Sequence, residues 1–228
     1  KHVCSDACLA VKIIATMLRI VLALVLVATV MGEGCCPPDA WEGLEGLLVG
    51  TSESGQPHLT KGVIMLHLNN SGKILAQVED LIVDDHEIKL KVISDYNRGM
   101  EYTIMGDKCT KKTLEPWKPK CIPDNAQVVQ NTYFGAGSEK VAVKTYSFMV
   151  GGLQVYATVT ASGCIPIIEA ISGTSAPGVS AVDVIEFSGI TPGIKDPSVF
   201  NIPSICNSER IPLQHVSTFS RSSRSVFH

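Results

Sequence analysis

The sequence predicts an all-β protein, two stacked antiparallel sheets arranged as a sandwich or half-barrel. Three observations carry the prediction. Short segments of alternating apolar and polar residues recur about every 8–14 residues, the spacing of strands in sandwiches and barrels. Gly, Pro, Asn and Ser clusters separate them. No segment after residue 32 sustains the 3.6-residue period of an amphipathic helix.

The strand-like segments run in order. Residues 59–68 (LTKGVIMLHL) and 73–79 (KILAQVE) flank the turn Asn69-Asn70-Ser71-Gly72, and 87–94 (EIKLKVIS) and 100–105 (MEYTIM) flank Asn97-Arg98-Gly99. Ile88, Leu90 and Val92 fall on one face of their segment, with Lys89 and Lys91 on the other. A Pro- and Lys-rich loop, 115–125, precedes 139–150 (EKVAVKTYSFMV) and 153–161 (LQVYATVTA), which Gly151-Gly152 joins. Two glycines between alternating runs signal a tight hairpin. Leu153, Val155, Ala157 and Val159 oppose Gln154, Tyr156, Thr158 and Thr160. Segments 164–171 and 178–187 complete the set, bounded by Ser162-Gly163 and Ala176-Pro177-Gly178.

Composition narrows the class. The 228 residues are 45% hydrophobic and 18% charged, with a formal net charge of −3, which excludes a disordered chain. That charge also argues against a nucleic-acid partner, since a phosphate backbone selects a basic surface.

The first 32 residues read as an upstream extension plus a signal peptide. Ile20–Val30 (IVLALVLVATV) is too short to span a bilayer and follows Met17-Leu18-Arg19, with Met17 placed as an initiator. Removing residues 1–32 takes away Lys1, Lys12 and Arg19 against Asp6, leaving 16 basic and 21 acidic residues, a net charge of −5. The expected domain then covers residues 33–206, and the Ser-rich stretch 207–228 reads as a disordered tail. A contact with a sulfated polysaccharide through Arg221 and Arg224 is the alternative for that tail.

Removal of the extension leaves Cys35, Cys36, Cys109, Cys121, Cys164 and Cys206. In an oxidising compartment six cysteines imply three disulfides, for which about 15 connectivities exist. None of the spacings forms a zinc pattern. No nucleophile elbow, zinc-protease helix, P-loop or dinucleotide fingerprint occurs, so a binding protein is expected rather than an enzyme. Asn69-Asn70-Ser71 is the one glycosylation sequon and sits in a predicted turn, making Asn69 the expected acceptor. The acidic run Glu79-Asp80…Asp84-Asp85-His86-Glu87 offers hard oxygen ligands, and Asp84, Asp85 and Glu87 are the calcium candidates. The same run also suits a solvated loop, because it lacks the spacing of an EF-hand.

Four ordered blocks resemble the ependymin family. Cys36-Pro37-Pro38-Asp39-Ala40-Trp41-Glu42-Gly43 is similar to its opening. Cys109-Thr110-Lys111-Lys112-Thr113-Leu114 with Pro116-Trp117 is similar to its central block, and Gly163-Cys164-Ile165-Pro166-Ile167 to its Cys-x-Pro strand. Gly193-Ile194-Lys195-Asp196-Pro197-Ser198-Val199-Phe200, followed by Pro203 and Cys206, is similar to its closing signature. The resemblance implies a secreted or lysosomal glycoprotein, a homodimer, with two stacked sheets around a deep apolar pocket like that of lipoprotein carriers. It implies the disulfides Cys36–Cys164 and Cys109–Cys206, with Cys35–Cys121 left over.

The resemblance also turns apolar strand faces into a candidate pocket for a fatty acid or glycolipid: Val63, Met65, Val143, Tyr146, Phe148, Val155 and Tyr156. Periodicity alone cannot separate a lined cavity from a filled core. No cofactor is expected to be required, and calcium is the one candidate ion. The alternative function is a calcium-binding extracellular protein in cell–matrix adhesion, with matrix components as partners.

Overall fold

The computed structural model describes residues 35–207 together with Ser225 and Phe227. The expected signal segment, Met17 and most of the Ser-rich stretch lie outside the described residues. Eleven strands form one antiparallel sheet. They are β1 (Ala40–Glu53), β2 (Gln56–Asn69), β3 (Ile74–Val83), β4 (His86–Asp95), β5 (Met100–Met105), β6 (Lys108–Thr113), β7 (Gln127–Ala136), β8 (Glu139–Val150), β9 (Leu153–Thr160), β10 (Pro166–Ala176) and β11 (Val179–Pro192). Their order is β6-β5-β4-β3-β2-β1-β11-β10-β9-β8-β7.

Two meanders therefore meet at the pair β1–β11, which runs from Trp41↔Pro192 to Glu53↔Val179. That long ladder fuses the expected two sheets into one. Turn chemistry positions the hairpins as the sequence suggests. Gly151 and Gly152 both have positive φ, 54° and 86°, between the paired ends Val150 and Leu153. A side chain at Gly62 of β2 would collide with the backbone carbonyl of Asp80, so only glycine lets β2 and β3 approach there.

The two faces of the sheet differ. Inward-pointing residues on β1 (Trp41, Leu47, Val49), β2 (Ile64, Leu66, Leu68), β9 (Val155, Ala157, Val159) and β11 (Ile185, Phe187) belong to one apolar cluster. Among the described residues no second sheet covers it. The segment 114–126 lies across it instead, contributing Ile122 and the partly buried Trp117, and the backbone N–H of Ile122 donates to the carbonyl of Cys35 at 2.8 Å. Of the described residues of the Ser-rich stretch, Asn207 is exposed whereas Ser225 and Phe227 are buried, and Phe227 packs within the same cluster.

A smaller cluster of Ala76, Ile93, Tyr102 and Cys206 occupies the opposite face, beside Val199 and Phe200 of the 3-10 helix Pro197–Phe200 and near a second one, Ser204–Asn207. Asp196 caps the first, its carboxylate accepting from the Ser198 N–H at 2.9 Å.

Among the described residues three disulfides close the fold: Cys35–Cys164, Cys36–Cys121 and Cys109–Cys206. The expected Cys36–Cys164 and Cys35–Cys121 pairings are exchanged. Neighbouring side chains of an extended segment point to opposite sides, and here Cys35 turns toward the main cluster and Cys164, which pack together. Cys36 is left facing Cys121. A one-residue choice of this kind has no signature in composition or spacing.

Candidate functional site

The inner face of the sheet, under segment 114–126, is the candidate site. Of the seven pocket residues expected from sequence, Phe148 and Val155 belong to its cluster and Tyr146 packs against it. Val63, Met65 and Tyr156 lie on the opposite face, 50%, 48% and 44% exposed. Val143, only 2% exposed, alternates out of phase with Tyr146 and Phe148 and also falls outside the cluster. The reason is register. Even-numbered residues of β2 turn inward, as Ile64, Leu66 and Leu68 show, so the odd-numbered Val63 and Met65 turn out. Because β2 is apolar on both faces, alternation could not choose between them. With Leu44, Leu48, Leu59 and Val78, they form an exposed apolar surface over β1–β3.

Polar groups within the inner face were missed by the sequence reading. Glu45 on β1, Glu79 on β3, Glu169 on β10 and Asp183 on β11 are buried, and each has an interaction partner. An acidic residue at an inward-facing position of an apolar strand, as in Val-Asp-Val-Ile-Glu-Phe (182–187), was the available signal. A basic group that faces one of them, Glu169, comes from the covering segment. Lys120 stands 5.5 Å from the centre of the Trp117 ring and 6.0 Å from that of Tyr96. Burial pushes its pKa down to about 8, against the opposing pull of Glu169.

The calcium candidates are engaged otherwise. Asp84 Oδ2 lies 2.7 Å from His58 Nδ1, and Asp84 Oδ1 accepts from the Leu59 N–H at 2.9 Å. The His58 contact leads in holding the Asp84 carboxyl below the usual range. Glu87 is paired with Lys89 at 3.2 Å, and Asp85 is exposed. Among the described residues, no three acidic, His or Cys side chains are grouped to hold a metal ion. Asn69 sits at the β2–β3 turn, where its side-chain oxygen accepts from the Gly72 N–H at 2.8 Å.

On the opposite face, the buried His67 places Nδ1 3.4 Å from Glu42 Oε2. Glu42 Oε1 lies 3.1 Å from the Lys195 ammonium, and hydrogen bonding to Lys195 leads in lowering the Glu42 pKa. This bridge ties the Gly193–Phe200 segment to β1.

An open antiparallel sheet with one face roofed by disulfide-anchored chain defines a disulfide-braced all-β protein with an apolar interior. Three bridges of this kind suit an oxidising compartment rather than the cytosol. The chain belongs to the ependymin family, whose family model matches residues 84–206.

Among its relatives is ependymin-related protein 2 of Haliotis asinina, 25% identical over 84% of this chain and 100% of that protein. Ependymin-related protein 1 of the same animal is 28% identical over 52% of this chain, and the match spans 64% of its length. Mammalian ependymin-related protein 1 of Rattus norvegicus is 27% identical over 77% of both chains. Among solved structures, a LolA superfamily protein of Nitrosomonas europaea overlaps 73% of this chain and 91% of its own at 10% identity. The TM-score of that overlap, 0.33, is too low to assign a fold.

Proposed function

We propose that this chain is a secreted, non-catalytic glycoprotein that binds a hydrophobic small molecule or lipid, such as a fatty acid or glycolipid, against the inner face of its sheet. One observation carries the reading. Among the described residues, the apolar cluster that spans β1–β3 and β8–β11 is closed by the segment 114–126 and by the inserted Phe227 side chain rather than by a second sheet. Covers of that kind can be displaced in part without breaking a strand ladder, and recognition sites of small ligands are typically concave and mainly apolar. Burial would supply affinity at about 0.8 kcal/mol per methylene removed from water. Export accords with the disulfides, and Asn69 at the β2–β3 turn is the proposed glycan acceptor.

The test is native mass spectrometry of the chain secreted from animal cells, followed by organic extraction and lipid identification. A stoichiometric lipid on the fully oxidised chain is expected. A clean unliganded mass, with no uptake of offered fatty acids or glycolipids, would overturn the reading and leave calcium-dependent adhesion as the better account.

A further inference from the structure

Phe227 reaches the inner face of the sheet beside the central β1–β11 pair. It is fully buried, and its ring meets that of Phe187 on β11 edge-on at 5.8 Å between centroids. Phe187 in turn meets Trp41 of β1 at 6.3 Å, so the inserted ring stands over the junction of the two meanders. Ser225 is buried beside it and accepts from the Phe227 N–H at 3.1 Å. Neither residue belongs to a strand, and neither is held by a disulfide. What retains the ring is burial in the apolar cluster, the same interaction that would retain a ligand.

We infer that the Phe227 side chain, with Ser225 beside it, is an internal ligand that occupies the apolar site and competes with the external one. This rests on the function proposed above and adds its regulation. A hydrophobic ligand enters only the fraction of molecules in which the Phe227 ring has left, so its apparent affinity is reduced by that fraction. The surface exposed on release would be the side of the Phe187 ring that Phe227 now covers, with Trp41 packed behind it, suited to a flat or linear apolar group.

The experiment compares the full oxidised chain with Phe227→Ala, titrating each with 11-(dansylamino)undecanoic acid and following dansyl fluorescence. Thermal unfolding and a count of free thiols accompany the titrations. The variant is expected to bind the probe roughly tenfold more tightly, in proportion to the open fraction it gains. A peptide of residues 221–228 should displace probe from the variant, whereas the same peptide carrying the alanine should not. Equal affinities in the two chains overturn the inference and leave the binding reading intact. Weaker binding by the variant, with a lowered unfolding temperature, also overturns it, since Phe227 would then be part of the wall. Probe binding by neither chain overturns both.

Discussion

At one edge of the sheet, β6 is bonded through Cys109 to Cys206, and the 3-10 helix that carries Cys206 packs on it. At the other edge all ten residues of β7 are exposed, Val128, Val129, Tyr133 and Phe134 among them. The comparison shows that apolar content does not decide burial. β6, Lys-Cys-Thr-Lys-Lys-Thr, is the more polar strand and the better covered, because a covalent bridge brings its cover to it. β7 holds its place by pairing with β8 and carries a cation over an aromatic face, Lys140 at 4.2 Å from the centre of the Tyr133 ring. An uncovered edge bearing large apolar side chains is one that natural sheets usually blunt.

The largest effect should come from unfastening the covered edge. Replacing Cys109 and Cys206 together with Ser opens a loop with a sequence separation of 97 residues and should cost about 4 kcal/mol in denaturant unfolding. Retained stability would mean that the apolar contacts of Ala76, Ile93 and Tyr102 hold the cover unaided. Next, Leu66→Ala on the inner face should cost about 3 kcal/mol, whereas Phe134→Ala on β7 should stay within about 0.5 kcal/mol. A Phe134 loss as large as that of Leu66 would show that β7 is covered in solution, and the contrast between the edges would collapse.

Lys120 sharpens the same contrast on the loop that leads from one edge to the other. Its folded pKa, about 8, lies below the unfolded value of 10.5, so the folded state binds fewer protons between those limits. The contribution of this group to stability should therefore rise with pH across that window, and the difference between the parent and Lys120→Met unfolding profiles should show the rise. A flat difference profile would place Lys120 in water. The smallest effect is expected at the exposed His58–Asp84 pair. Asp84 has a lowered folded pKa, so its contribution is present above its ordinary carboxylate range and fades as pH falls through the lower folded value. Asp84→Asn should flatten only that acid limb of the unfolding profile.

Much of the sheet was legible in the sequence, and what was missed has physical causes. β2–β5 and β8–β11 alternate or carry long β-branched runs between clear turn residues. β1 escaped because Gly43, Gly46 and Gly50 interrupt its apolar positions, although Gly43 is small for a reason: a side chain there would press on Ile190 and the Ser188 carbonyl. β6 is too polar, and β7 begins at Gln127, just after the Pro- and Lys-rich loop 115–125. For the site, alternation supplied the right strands but not the inward face wherever both faces are apolar, as at Val63 and Met65. The buried acids were hidden because a single Glu or Asp in a strand ordinarily marks its solvent side.

The pairing of β1 with β11 also constrains how the chain reaches its native state. β1 can zip to β2 as soon as both exist, but its other side must wait for a partner that lies 151 residues later in the chain at Trp41↔Pro192 and 126 later at Glu53↔Val179. During synthesis the central strand is therefore an unsatisfied edge, with Leu47 and Val49 uncovered, until nearly the whole domain has emerged. A topology whose decisive contact is among its longest-range ones should fold slowly, and it would depend on chaperones to guard that waiting edge.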